Sequence, residues 1–242
     1  MPYYYGFDWT YIYIVLPCFL LALLASAGVN RTFQRYSKQI SIRRITGRDA
    51  AERVLRANGV SNVRIERVSG NLTDHYDPKA NVIRLSDSVY DSTSTAAIGV
   101  ACHEAGHAVQ YARNYFPIKI RAAIIPVTNI GSRLAMPLIL LGILLGAFGS
   151  MQNDLGYVLV EIGIACFALS LVFQLITLPV EFNASRRAMR AIEDAQILTE
   201  DEQRGARKTL TAAAMTYVAA VAVAAAQLLR LIILFGGRRR ND

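Results

Sequence analysis

Residues 94–113 read STAAIGVACHEAGHAVQYAR, with His103, Glu104 and His107 in the order H-E-x-x-H. The stretch reads as one helix, with cap candidates at Ser92, Thr93, Ser94 and Thr95. Helical residues four apart share a face, so His103 and His107 can aim ring nitrogens at one metal ion about 2.0 to 2.1 Å away. Glu104, beside the first histidine, is placed to take a proton from water rather than to ligate. The motif alone recurs by chance, so its setting matters. The chain has three histidines, and two of them form this pair. Ala96, Ala97, Ile98, Val100, Ala101 and Val109 make the rest of the helix small and apolar, which predicts buried imidazoles and a buried carboxylate in need of partners. A metal supplies one; two satisfied core histidines are the plainer alternative. Cys102 points about a third of a turn away from that face, and Cys18 and Cys166 sit in apolar runs, so no disulfide framework is implied.

Outward from this helix the chain is strongly apolar. Hydrophobic residues make up 53% and charged residues 18% of its 242 positions, too apolar a balance for an ordinary soluble enzyme. The apolar residues are bunched into four runs of membrane-crossing length, about 9–29, 122–149, 155–180 and 210–235. Asn129, Ser132 and Arg133 interrupt the second run, Glu161 and Gln174 the third, and Gln227 and Arg230 the fourth. Ala25-Ser26-Ala27 has the look of a signal cleavage site, but Lys and Arg follow the first run instead of preceding it. That order predicts an uncleaved anchor with its N-terminus outside.

Basic residues crowd 31–121 and recur at Arg186, Arg187 and Arg190, whereas the loop Ser150–Gly156 has none, which predicts that both basic regions are cytoplasmic. A fourth full crossing conflicts with this by placing Arg238, Arg239 and Arg240 outside; either the last run does not cross completely or the rule fails there. The net charge of +8 flanks apolar runs without interleaved aromatics, so it fits lipid attraction and topology, and no nucleic-acid partner is expected. Sequons at Asn30, Asn71 and Asn183 fall on the expected cytoplasmic side and carry little weight.

The polar stretch between the first two runs predicts a small α+β insertion. Thr46 with Asp49 resembles a capping box ahead of a helix over 50–58 that Gly59 ends. Alternation over Val63–Val68 predicts a strand, Ser69-Gly70-Asn71 a turn, and Asn81–Leu85 a second strand. The expected fold is therefore mainly α: an integral membrane protein of about four membrane helices and one domain over 1–242. Its cytoplasmic region, about 45–121 plus 181–209, would carry the HExxH helix.

A catalytic zinc usually has three protein ligands and an open position. Glu181 is one candidate for the third, because Pro179 is suited to begin a helix and would set Glu181 in its first turn; a carboxylate merely favourable at a helix N-terminus is the alternative. His75, in the loop Leu72-Thr73-Asp74-His75-Tyr76-Asp77-Pro78, is the other. If Glu181 ligates, His75 and Tyr76 become candidates to contact the substrate or the transition state.

That loop, Arg84-Leu85-Ser86, Val89-Tyr90, His103–Gln110 and Glu181-Phe182-Asn183-Ala184-Ser185 together resemble the YugP-type family of putative neutral zinc metallopeptidases of bacterial membranes, over nearly the whole chain. The resemblance implies zinc, peptidase activity and a multi-pass position in the bacterial cell membrane. A more distant similarity to HtpX-like and prenyl-protease membrane peptidases implies a Glu on a later helix as third ligand, which favours Glu181. Those enzymes generally carry an Asp four residues later to orient a histidine; Ser185 stands there, which makes Asp74 and Asp77 candidates for that task.

The expectation is a zinc metalloendopeptidase in which metal-activated water attacks the peptide bond with Glu104 as general base, on protein or peptide substrates associated with the bilayer. The competing expectation is a membrane scaffold or transport component in which zinc only staples the fold. Four protein ligands with no open position would mark the latter.

Overall fold

The computed structural model describes residues 8–148 and 154–236. Arg238–Arg240 and most of the loop Ser150–Gly156 lie outside them, as does most of the N-terminal leader. Among the described residues, four helices are long and apolar enough to cross a membrane. The chain divides into two compact units, one over 1–24, 120–176 and 217–242, the other over 25–119 and 177–216.

The first unit is built from stretches of four helices. A π-helical stretch, Tyr11–Val15, leads into α1 (Leu16–Tyr36); α4 (Phe116–Phe148), α5 (Asp154–Asp194) and α6 (Glu200–Phe235) supply the rest. Leu16 N–H donates to Tyr11 O, five residues back, and Pro17 has no N–H to restore the α pattern. Phe19, Leu21, Leu24, Ile130, Leu140, Leu155 and Ile233 all stand exposed, a breadth of apolar surface that suits hydrocarbon and not water. Helices in lipid associate by close packing of small residues. A Cβ at Gly163 would fall 2.9 Å from Ala135 O and 2.6 Å from Ile139 Cγ1, so hydrogen there lets α4 and α5 touch. The charge in the fourth apolar run is neutralised: Arg230 Nε donates to Asp8 Oδ2 at 2.8 Å, and the guanidinium lies 5.5 Å from the Tyr11 ring centroid.

The second unit has a conventional core. Thr46 Oγ1 accepts from Asp49 N at 3.1 Å and opens α2 (Gly47–Ala57); Gly59, at φ +71°, takes the left-handed turn that closes it. Strands β1 (Arg64–Val68) and β3 (Val82–Ser86) pair in parallel, and β2 (His75–Asp77) joins the far edge of β3 antiparallel. β2 falls within the stretch 72–78 that the sequence predicts as loop. Three residues show too little alternation to declare a strand; its pairing with β3 makes it one. α3 (Thr95–Ala112) starts at Ser94, whose hydroxyl accepts from Ala97 N, and packs on α2 and the sheet. Val54, Ile83, Leu85, Ile98, Val109, Ile192 and Ile197 form the buried cluster around it.

α5 departs from expectation. Pro179 does not begin a helix but lies inside one that runs from Asp154 to Asp194. A proline there removes one backbone bond, yet Val180, Ala184 and Ala188 are fully buried against the core and hold the helix continuous. Tertiary packing outweighs the local stop signal.

Glu202 fastens the start of α6. Its carboxylate accepts from Thr199 N at 2.9 Å, the glutamate half of a capping box, and from Ile42 N at 2.6 Å across the unit. Burial works to raise its pKa, but the Ile42 and Thr199 hydrogen bonds outweigh burial and hold it below the usual carboxylate range. Such a group adds stability above the unfolded-chain pKa and loses it as pH falls through the folded value. Glu202→Gln should therefore lower Tm at neutral pH, by thermal unfolding, with the gap to wild type narrowing as the solution is acidified below the carboxylate range. A pH-independent gap would refute that origin.

Candidate metal centre

Two helices of the second unit bring the site together through small residues. A Cβ at Gly106, inside the HExxH sequence, would lie 2.8 Å from Ala184 O and 3.4 Å from Ala184 Cα. With only hydrogen there, α3 approaches α5 closely enough that ligand atoms of His103, His107 and Glu181 all fall within 4.8 Å of one another. His103 Nε2 is 3.2 Å and His107 Nε2 3.5 Å from Glu181 Oε2. The imidazoles stand edge to face, ring centroids 4.7 Å apart. Glu181 is 2% exposed.

These residues fit zinc. Donors held tetrahedrally at about 2.0 to 2.2 Å stand about 3.3 to 3.5 Å apart, whereas a direct charge-assisted N–H···O bond is about 2.7 to 2.9 Å long. The separations of 3.2 and 3.5 Å match the first spacing. Two imidazoles and one carboxylate are also a donor set of hydrolytic zinc.

The outward nitrogens of both rings are fixed. Gln110, fully buried, donates from Nε2 to Val180 O at 2.9 Å and to Asn183 Oδ1 at 3.0 Å, leaving Oε1 to face His107 Nδ1 at 3.0 Å. An amide oxygen only accepts, so His107 carries a proton on Nδ1 and turns Nε2 toward Glu181. His103 Nδ1 lies 3.1 Å from Ser185 Oγ. Ser185 thus stands against the histidine directly, in the place where the resemblance implies an Asp. Asp74 instead accepts from Ser86 N at 2.7 Å and Ser86 Oγ at 3.0 Å, and Asp77 pairs with Arg84 at 2.9 Å. Among the described residues neither carboxylate hydrogen-bonds to His103 or His107, which corrects the expectation for both.

Charge follows from the same contacts. Burial would raise the Glu181 pKa, but the two imidazoles that face its carboxylate more than offset it and hold the carboxyl far below its ordinary range. Burial would lower the His107 pKa, and the neighbouring Glu181 and Glu104 charges raise it instead. The pocket selects positive charge, whether a second proton on the ring or a cation. Glu104 is 8% exposed. Among the described residues its carboxylate accepts no hydrogen bond, so no protein donor competes for its oxygens. Asp74 lies close by: burial, with the Glu104 charge added, pushes its carboxyl up against the pull of Ser86.

The other candidates take different places. His75 is exposed on β2, Nδ1 2.8 Å from Thr73 O and Nε2 3.4 Å from Arg84 Nη1. Tyr76 donates to Asn81 Oδ1 at 2.8 Å, its ring 5.5 Å from that of Tyr111. Among the described residues His75 does not join the cluster of His103, His107 and Glu181. Cys102 is fully buried, which pushes its thiol far above the range of a nucleophile. The sequence reading missed the orienting role of Gln110, although its position three residues after His107 puts it on the neighbouring face of the helix.

Gly106→Ala tests the close approach. A methyl against the Ala184 carbonyl must push α5 away, an overpacking cost of about 1 to 3 kcal/mol, offset by about 1 kcal/mol of helix propensity. The variant should unfold about 2 to 4 °C lower and bind zinc about tenfold more weakly in chelator competition, as the imidazoles lose their spacing to Glu181. Unchanged zinc affinity would show that the contact does not set the site.

Comparison with known proteins agrees in kind. A relative, "Putative membrane protease YugP" of Bacillus subtilis (strain 168), is 42% identical over 232 residues, covering 96% of this chain and 99% of its own. No solved structure matches significantly. The profile of a family described as putative neutral zinc metallopeptidase matches residues 11–236. With that match over nearly its whole length and four apolar helices of spanning length, the chain belongs to this zinc metallopeptidase family.

Proposed function

We propose that the protein is a zinc-dependent membrane endopeptidase. The observation that carries this reading is the convergence of His103, His107 and Glu181 on one point, beside a Glu104 carboxylate free to take a proton. Bound there, zinc would supply a Lewis acid that makes water acidic near pH 7 and polarises an amide carbonyl.

Glu104 accepts the proton of the attacking water and delivers it to the departing amine nitrogen, so that one C–N bond breaks and one C–O bond forms. Gln110 and Ser185 keep the two imidazoles in the orientation that donates from Nε2. His75 and Tyr76, on the strand that follows Asp74, are candidate substrate contacts. Among the described residues no fourth His, Cys, Asp or Glu joins the cluster, which favours an open coordination position over a structural staple. The apolar helices and the basic residues flanking them support a multi-pass protein with its site on the cytoplasmic side, acting on membrane-associated proteins or peptides.

The test is direct. Detergent-purified protein should cleave casein or a membrane-tethered peptide, stop on addition of a chelator, and resume with added zinc. Zinc-replete protein that cleaves neither substrate would overturn the reading, and a fourth protein ligand seen by X-ray absorption would favour the staple.

A further inference from the structure

A cavity of about 370 Å³ lies in the second unit, lined by Arg186, Arg187 and Arg190 of α5 together with Asn58, Asn183 and Asp194. Three guanidinium groups against one carboxylate leave its lining with a formal charge of +2. Among the described residues no carboxylate lies within ion-pairing distance of any of the three. Arg187 spends Nε on Asn183 Oδ1 at 2.8 Å, which anchors the side chain while its terminal N–H groups stay available. Guanidinium forks match the oxygens of a tetrahedral oxyanion, and several converging on one concavity bind such an anion far better than one on an open surface. The alternative, that these arginines only mark membrane topology, does not require them to line one concave space.

We propose that this cavity binds a phosphate-type dianion, either free phosphate or the phosphomonoester headgroup of an anionic lipid. Arg186 follows Val180, the last residue of the third apolar run, by six residues, about 9 Å of helical rise, within reach of a headgroup layer. Arg187 and Gln110 both donate to Asn183 Oδ1, and Gln110 Oε1 faces His107 Nδ1. An anion that draws on Arg187 therefore alters the hydrogen bonds that orient His107. This coupling, unlike the binding itself, rests on the metal reading given under Proposed function.

The test uses the full chain in phosphatidylcholine nanodiscs, titrated calorimetrically with inorganic phosphate, beside the double variant Arg186→Gln/Arg190→Gln, which leaves the Arg187–Asn183 bond in place. Wild type should bind about one phosphate per chain, and the double variant at least tenfold more weakly. Nanodiscs doped with phosphatidic acid separate the sources: loss of the phosphate signal identifies the headgroup, and an unchanged signal identifies the free anion. No binding in plain nanodiscs with no preference for phosphatidic acid, or equal binding by the double variant, would overturn the site. In chelator-buffered zinc, saturating phosphate should shift zinc affinity severalfold in wild type and not in the double variant. An unshifted wild type would overturn the coupling alone, and a wild type that binds phosphate but no zinc would instead sink the metal reading.

Discussion

Glu104→Gln protein is expected to keep its zinc and lose peptide hydrolysis by about a thousandfold or more. A general base contributes about 10² to 10⁴ in rate, and glutamine of the same shape cannot take a proton. Glu104 accepts no hydrogen bond among the described residues and is not one of the clustered donors, so the substitution should leave the fold and the ligand spacing intact. Metal analysis, thermal unfolding and initial rates on one substrate together make the check. Wild-type rates in the zinc-loaded variant would refute the assignment of Glu104, and loss of zinc would show that it ligates.

Glu181→Gln is expected to lose most of its zinc affinity. Four-ligand zinc sites are worth about 10 to 16 kcal/mol at neutral pH, so one charged ligand accounts for about a hundredfold to a thousandfold. The change also removes the charge that holds the two imidazoles in place, one buried and one half-buried, since both Nε2 atoms face one Glu181 oxygen. Its affinity, measured by competition with a chromogenic chelator, should fall by that factor while helix content stays unchanged. Affinity equal to wild type would remove Glu181 from the site and reopen the place of His75.

The departures from the sequence reading have local causes. Pro179 is a stop signal on any propensity scale, and the helix passes through it because burial of Val180, Ala184 and Ala188 outweighs one missing backbone bond. With Glu181 thereby in mid-helix, its reading as a mere N-terminal carboxylate falls away. β2 escaped notice because three residues carry no usable period. Ser185 was seen as a departure from an Asp pattern, but a hydroxyl reaches His103 Nδ1 as well.

By itself the sequence determined what depends on near neighbours along the chain: the apolar runs, the cap at Thr46, a cap for α3 within residues 92–95, and two histidines one helical turn apart. Each is set by spacings of a few residues, where helix geometry alone places side chains. Only the tertiary structure decided that Glu181, 78 residues from His103, faces both imidazoles, that Gln110 and Ser185 orient them, and that His75 stands elsewhere. These depend on how closely α3 and α5 approach, which the missing side chain of Gly106 permits. They depend as well on the need of every buried polar atom for a partner, and no spacing along the chain encodes that.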